Sequence, residues 1–481
     1  MEELNQIGWK NLDILLIKPN ADTGGYMKDI FSITPPMAYL SIAAYMRKFG
    51  IKIGILDAEI ENFDDEKTLE IIKESDAKII GLTAMSSYYK DALRLAKKIK
   101  EKFPNKKIVI GGVHISSLPK DVIKEDCFDF GIIGEGEVPF YKLADALLKK
   151  GDYKNIKGLM FKDKEKIIDN GYGDCIMDLD EIPRYAYDLI PVERYKATPA
   201  VSIENKSITM YTRRGCPFQC IFCASDVISK KTRAFSAKRV FEDILWTKEK
   251  YGIKEIIFWD DSFTIDRQRI IDLCNLIIEN KLDIIWTVET RADLCDEELL
   301  RLMKKAGCWC IFFGVESGSD RVLKIIKKGE TKEQIRKAFK MCYKLGIATR
   351  ASFILGLPGD TKESMQESIN FAKELNSEVT QFQITVPFPG SELFREYEKY
   401  GTIPDMDFSK WDYYSEDAYF IPNGLDIGIL KEYRKKAYIA LYTNPFLIMK
   451  RIMRVKSSKQ FKSYVKGYVM FMNKSFGKLF K

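Results

Sequence analysis

Three cysteines, Cys216, Cys220 and Cys223, stand in the run Arg213-Arg214-Gly215-Cys216-Pro217-Phe218-Gln219-Cys220-Ile221-Phe222-Cys223. Their C-x3-C-x2-C spacing suits one kind of chemistry above others. Three thiolates can each hold one iron of a cubane cluster, which leaves the fourth iron open to a small molecule. A tetrahedral zinc site would need a fourth Cys or His close by. None falls in the run, and the sole histidine, His114, lies far upstream. Three buried apolar cysteines are the plain alternative. The paired arginines, the Gly-Cys-Pro turn and the aromatic Phe222 before the last cysteine argue against it.

A loop of this kind has to be held by regular elements, and the flanking sequence supplies them in alternation. Ser207 to Thr212 reads as a strand leading into the cysteines. Five more strands are expected at Glu255–Trp259, Ile284–Glu289, Cys310–Val315, Ala351–Leu355 and Thr380–Val386, with helices between them. Polar and glycine residues collect just after these strands: Asp260-Asp261, Thr290-Arg291, Glu316-Ser317-Gly318, Gly356 and Gly390. Barrel enzymes place their chemistry at strand carboxyl ends. Upstream, apolar runs at Leu12–Ile17, Ile51–Asp57, Lys78–Thr83, Lys107–Ile110 and Phe128–Ile133 alternate with helical patterns. That order predicts a parallel doubly wound sheet, whose ligands bind at the carboxyl ends. Gly24-Gly25, Gly111-Gly112-Val113-His114 and Gly134-Glu135-Gly136-Glu137 fall at those ends. No G-x-G-x-x-G follows the first strand, so a nicotinamide site is not indicated.

The expected fold class is therefore α/β. A Rossmann-like domain spans 1–150, a linker 151–200, a partial (β/α)6 barrel 201–400 and a basic, aromatic-rich helical tail 401–481. The 481 residues give room for two or three domains, and 46% hydrophobic with 30% charged residues is an ordinary globular balance. Ten cysteines are too sparse for a disulfide scaffold, and an iron–sulfur cluster suits a reducing compartment. The chain starts on the acidic Met1-Glu2-Glu3 and has no apolar run of membrane-spanning length, so a cytoplasmic protein is expected.

The cysteine motif resembles the signature of the radical S-adenosylmethionine (SAM) enzymes. The N-terminal glycine runs, with Pro35-Pro36, Gly50 and Asp57, are similar to the cobalamin-binding domain of their B12-dependent subgroup, which includes methyltransferases and the anaerobic porphyrin cyclase. The resemblance covers about residues 10–400. It implies a [4Fe-4S] cluster on Cys216, Cys220 and Cys223, SAM on the fourth iron, and reductive cleavage to a 5'-deoxyadenosyl radical that abstracts hydrogen from an inert carbon. It places Phe222 near the adenine, Asp260 and Asp261 at the methionine amine and Glu316 at the nucleoside or amine part of SAM; by charge and position Arg291 is either the partner of the SAM carboxylate or a surface arginine in a turn. Cobalamin would lie against Gly111, Gly112, His114, Gly134, Glu135 and Gly136. The D-x-H-x-x-G run of B12 mutases is missing, so no histidine of that motif holds cobalt. For His114 itself, closing a strand, a local hydrogen bond is the more common fate. A Rossmann-like module without corrin stays open as an alternative. An electron donor such as flavodoxin or ferredoxin is implied as a partner.

Tyr185, Tyr187, Tyr195 and Tyr211 either wall a substrate channel or pack. Cys308 and Cys310 are expected to pack as apolar residues. Net charge is +8, yet from Tyr433 onward there are thirteen basic and no acidic residues, so the chain before it carries 64 basic against 69 acidic. Aromatic and apolar residues interleave with this charge, a pattern that suits a membrane surface. Nucleic acid is the competing partner and is not expected; a helical cap on the barrel with a basic outer face is equally compatible. An interfacial tail suits a hydrophobic, lipid-like substrate. The leading function is a cobalamin-dependent radical SAM methyltransferase acting on an unactivated carbon. A radical SAM cyclase, oxidase or carbon–carbon coupling enzyme, with or without cobalamin, and a non-catalytic membrane-associated binding protein are the alternatives.

Overall fold

The computed structural model describes residues 9–21, 34–197, 202–411 and 417–455, with isolated positions from 458 to 469. The Gly24-Gly25 loop and, in the tail, Tyr413, Tyr414, Tyr464, Met470, Phe471 and Phe476 lie outside them.

The first sheet contains β1 (Ile14–Lys18), β2 (Ile53–Asp57), β3 (Ile79–Thr83), β4 (Lys107–Gly111), β5 (Phe130–Ile132), β6 (Leu159–Asp163) and β7 (Lys166–Asp169), in the spatial order β2-β1-β3-β4-β5-β6-β7. Strands β1 to β5 are parallel. Side chains of a strand alternate between faces, and β1 shows the consequence. Ile14 and Leu16 pack with helices Met37–Arg47 and Glu137–Lys149, whereas Leu15 and Ile17 pack with Asp65–Glu74 and Tyr89–Lys102. Both faces are covered, which is why these strands are apolar throughout. The hairpin β6–β7, expected in a separate linker, instead adds antiparallel to β5. It pairs backbone groups that an edge strand would leave open.

The second sheet contains β8 (Ser207–Met210), then, after a short antiparallel pair formed by β9 (Arg213–Arg214) and β10 (Arg233–Ala234), β11 (Glu255–Phe258), β12 (Ile285–Thr290), β13 (Cys308–Glu316), β14 (Ala348–Leu355) and β15 (Val379–Ile384). Its six strands run parallel in sequence order from β8 to β15. Each is separated from the next by helix, as in an open (β/α)6 barrel. Ser236, Asp266, Asp296, Thr331 and Thr361 cap the helices that follow, each accepting a backbone N–H in the first turn.

An open barrel leaves β15 as an edge, and the tail closes it. Helix Ile427–Tyr442 places Arg434, Tyr438 and Tyr442 four residues apart on one face. The Tyr442 hydroxyl accepts from Thr380 N–H (3.1 Å) and donates to Thr380 C=O (2.9 Å). Tyr438 does the same at Phe382, both at 3.2 Å, and Arg434 Nε also donates to Phe382 C=O. This part of the tail is a cap on the barrel rather than a membrane-facing helix. Tyr442→Phe leaves two edge groups of Thr380 without their partner. It is expected to cost about 1–3 kcal/mol in denaturant unfolding, against a negligible change for exposed Tyr172→Phe. Among the described residues no helix is long and apolar enough to cross a membrane.

Candidate functional site

The cysteine loop is built as a turn on a two-stranded stem. Gly215, which follows β9, has φ +76°, and a Cβ there would lie 2.6 Å from the Lys231 carbonyl oxygen. Both conditions select glycine. Ile221, 1% exposed, pins the middle of the loop: its N–H donates to Ile326 C=O (3.1 Å) and its C=O accepts from Leu393 N–H (2.7 Å). The flanking cysteines project away from this anchor, Cys216 and Cys220 half-buried and Cys223 exposed. Burial raises all three thiol pKa values, that of Cys220 to about 11. Arg213 and Arg291 oppose the rise at Cys216, and Lys328 and Arg291 oppose it at Cys220. A cationic surround of this kind favours thiolate ligands. Among the described residues no three His, Cys, Asp or Glu gather around one point as a single metal ion requires. The donor set fits a cubane, in which each sulfur meets a different iron. Phe222 packs partly buried on the large core.

The two aspartates in the loop after β11 differ in burial. Asp260 is wholly buried; its Oδ1 accepts from the N–H groups of Thr212 (2.6 Å) and Arg213 (3.1 Å), and its Oδ2 accepts from the Thr212 hydroxyl. It fastens β11 to the entry of the cysteine loop. Asp261, one residue on, is exposed. Its carboxyl pKa is raised by surrounding protein and by Asp260. Neither caps the next helix; Asp266 does.

Glu316 ends β13 with φ +64°, an uncommon conformation for a residue with a Cβ, at a register slip between Gly314 and Glu316. A side chain on Gly314 would collide with its carboxylate. Glu316 Oε1 lies 3.2 Å from Lys328 Nζ, which lies 3.3 Å from Glu330 Oε2. Glu330 in turn accepts from Ala292 N–H (2.7 Å). Arg291 completes the chain: Nη1 donates to Lys328 C=O (2.6 Å), Nε and Nη2 donate to Asp293 (2.9 and 2.8 Å), and the guanidinium lies 3.7 Å over the Phe218 ring of the cysteine loop. Asp293 is thus the carboxylate that Arg291 meets in this structure. Lys328 and Glu330 escaped notice in the sequence because nothing in their spacing marks them; only the fold places them between Glu316 and Arg291.

The N-terminal runs meet this loop directly. Arg214 donates to Glu135 (2.7 Å), Glu137 (2.6 Å) and Ser41 (3.0 Å), and Ser41 donates to Glu137 (2.5 Å). Arg233 and Ser229 also reach Glu135. Burial alone would raise the Glu137 carboxyl, but Arg214 and Ser41 outweigh it and hold the pKa below the ordinary value. Glu135 therefore belongs to an ion cluster that joins the N-terminal sheet to the cysteine loop. His114 makes the local hydrogen bond expected of a histidine closing a strand. It is 3% exposed, its Nδ1 lies 3.0 Å from Ser86 Oγ, and its ring stacks on Tyr89 at 4.1 Å. Burial pulls its pKa down to about 4.

The glycines differ from one another. Gly112 (φ +99°) is required by its own turn, since a Cβ would strike Thr83 and Ala84; at Gly134 a Cβ would lie 3.1 Å from the Tyr172 ring, and at Gly136 2.8 Å from Ile42. At Gly111 the nearest atom would be Ile132 Cβ at 4.0 Å. Of the four, Gly111 alone leaves open space at a strand end, a cradle that fits the close approach of a flat ring.

Tyr185, Tyr187 and Tyr195 pack in the core, while Tyr211 lies near Asp261 and Glu289. Cys308 and Cys310 are buried at 0% and 3%. Two lumen residues also went unread. Glu289 of β12 and Arg350 of β14 flank Phe312 of β13 in register. Burial pushes the Glu289 carboxyl up to about 7; Arg350 opposes this, and Asp261, Glu316 and Asp260 add to it. Its ionisation thus disfavours the folded state progressively as pH rises from 4.5 to about 7. Glu289→Gln is expected to melt higher than the parent above pH 7, by up to about 3 kcal/mol of stability, and to show no gain below pH 4.5.

A radical SAM superfamily model matches residues 210–372, and a B12 binding domain model matches residues 25–144. An uncharacterised methyltransferase of Pyrococcus horikoshii is 35% identical over 445 residues, 92% of this chain and 95% of that protein. The anaerobic magnesium-protoporphyrin IX monomethyl ester cyclase of Rubrivivax gelatinosus is 27% identical over 457 residues, 93% and 80% of the two chains. The solved radical SAM methyltransferase TsrM of Kitasatospora setae, with cobalamin and a [4Fe-4S] cluster bound, shares the fold at a TM-score of 0.69 and 16% identity, covering 97% of this chain and 99% of that one. With its cysteine loop on the second sheet and its corrin-type domain clamped beside it, the chain belongs to the radical SAM enzymes that carry an N-terminal B12-binding domain.

Proposed function

We propose that the protein is a cobalamin-dependent methyltransferase that modifies an unactivated carbon of an apolar, lipid-like substrate. The observation that carries this reading is the Arg214–Glu135–Glu137 cluster, which holds the carboxyl end of β5 against the cysteine loop. Cys216, Cys220 and Cys223 would hold the cluster, Asp261 and Glu316 would face SAM with Phe222 beside its adenine, and Gly111 would admit the corrin, with Gly112, Gly134 and Gly136 shaping the adjoining turns. When bound, these groups supply a carbon radical that takes hydrogen from an unreactive C–H bond and a methyl group to replace it. A low-potential one-electron donor such as flavodoxin or ferredoxin would serve as partner.

The apolar substrate is supported by helix Pro445–Met453, whose Phe446, Met449, Ile452 and Met453 are 57%, 55%, 49% and 70% exposed beside Lys450. Apolar side chains flanked by cations suit an anionic lipid surface, which would place the protein on the inner face of a membrane.

Anaerobic production with iron and cobalamin, followed by corrin quantitation, tests the cofactor; near one corrin per chain is expected. Incubation with SAM, reductant and a membrane lipid extract should yield 5'-deoxyadenosine together with S-adenosylhomocysteine. 5'-Deoxyadenosine without S-adenosylhomocysteine would turn the reading towards cyclisation or coupling. Gly111→Leu fills the open cradle and should lower corrin affinity by about tenfold or more, ~1.4 kcal/mol, with the melting temperature unchanged.

A further inference from the structure

The lumen level of Glu289, Phe312 and Arg350 holds two opposite charges that the site above it does not employ. Arg350 is 9% exposed, its guanidinium lies 4.6 Å over the Phe312 ring, and its Nε has no hydrogen-bond partner. A buried N–H donor without an acceptor is unfavourable. Glu289, on the other side of Phe312, feels the charge of Arg350, and no ion pair joins the two among the described residues. Phe312 separates the two in the sheet, one strand to either side. The neighbouring wall is polar as well: Ser352 Oγ lies 3.4 Å from Gln383 Oε1. A ligand carrying both charges a short distance apart would satisfy Arg350 and Glu289 at once.

We propose that Arg350 and Glu289 form a recognition subsite for a zwitterionic head on the substrate, Arg350 taking a carboxylate and Glu289 an ammonium nitrogen. The apolar remainder lies along Phe312. The substrate class becomes an amphiphile with an amino-acid-like head. This rests on the barrel lumen being the reaction chamber, and it narrows the lipid-like class by one functional group.

Four probes of equal chain length test it: α-aminododecanoic acid, dodecanoic acid, dodecylamine and dodecanol. Each is bound to the full chain with its cluster reconstituted and measured by equilibrium dialysis below its micelle concentration. The zwitterion is expected to bind tightest. Arg350→Met should weaken the zwitterion and the acid by about ten- to a hundredfold, as loss of charged hydrogen bonds implies, and leave the amine's advantage over the alcohol. Glu289→Gln should show the reverse selectivity. Arg350→Lys keeps the charge with poorer geometry and should retain a reduced preference for acid, a reading that survives if the methionine variant does not fold. Equal affinity of all four probes for the parent overturns the subsite, as does an Arg350→Met loss equal for acid and alcohol. No turnover is read, so a chain that selects the head yet transfers no methyl group defeats the proposed reaction and leaves the subsite standing.

Discussion

Cys220→Ala is expected to abolish SAM cleavage. In the proposed [4Fe-4S] cluster each of the three cysteines would hold its own iron, and losing one would leave two. Six of the other seven cysteines are buried away from the loop. Cys274, Cys295, Cys308, Cys310 and Cys342 are buried within the barrel wall and its helices, and Cys127 lies in the N-terminal core. The loop itself should survive the change, because its anchor is the neighbouring Ile221, held through Ile326 and Leu393. The variant should therefore fold, bind little iron after anaerobic reconstitution, lack the cluster's visible absorption and release 5'-deoxyadenosine only at background. Cys274→Ala, altering a thiol buried in helix Arg267–Glu279, should load iron like the parent. Full SAM cleavage by Cys220→Ala would remove the basis for the assigned chemistry.

The second large effect concerns the interdomain cluster. Arg214 is 15% exposed at its side chain, and its partners Glu135 and Glu137 are 7% and 5% exposed. Burial alone would lower the Arg214 pKa; Glu137, Tyr185 and Glu135 outweigh that and keep it above its ordinary value. Removing one member of a buried ion group leaves the others charged without a partner, at a cost of about 3–5 kcal/mol. Arg214→Met should lower the melting temperature by several degrees, given about 2–4 °C per kcal/mol for domains of this size. Glu137→Gln, which keeps a hydrogen-bonding group, should cost less. The pair distinguishes electrostatics from volume, since methionine nearly conserves the bulk of the arginine stem. Equal melting of parent and Arg214→Met would show that the domains are held by their apolar contacts alone.

The sequence by itself determined the cysteine motif, the strand–helix alternation and both sheets. Those signals are local: thiol spacing, apolar runs of five or six residues, and glycines or caps at element ends. It also marked which strand ends carry polar residues. Which of those residues face the cleft was decided by the tertiary structure. Asp260 and Asp261 are adjacent and chemically identical, yet in the loop after β11 the first is buried against Thr212 and the second is exposed. Glu135 and His114 sit in motifs that suggested a cofactor, but Arg214 and Arg233 claim the first and Ser86 and Tyr89 the second, from distant parts of the chain. Lys328, Glu330, Glu289 and Arg350 carry no motif at all, because their roles arise from register and burial, which local spacing does not encode. The basic tail divides in the same way. Composition gave its charge, while the open edge of β15 decided that Tyr438 and Tyr442 cap the barrel, since its unpaired backbone groups need partners.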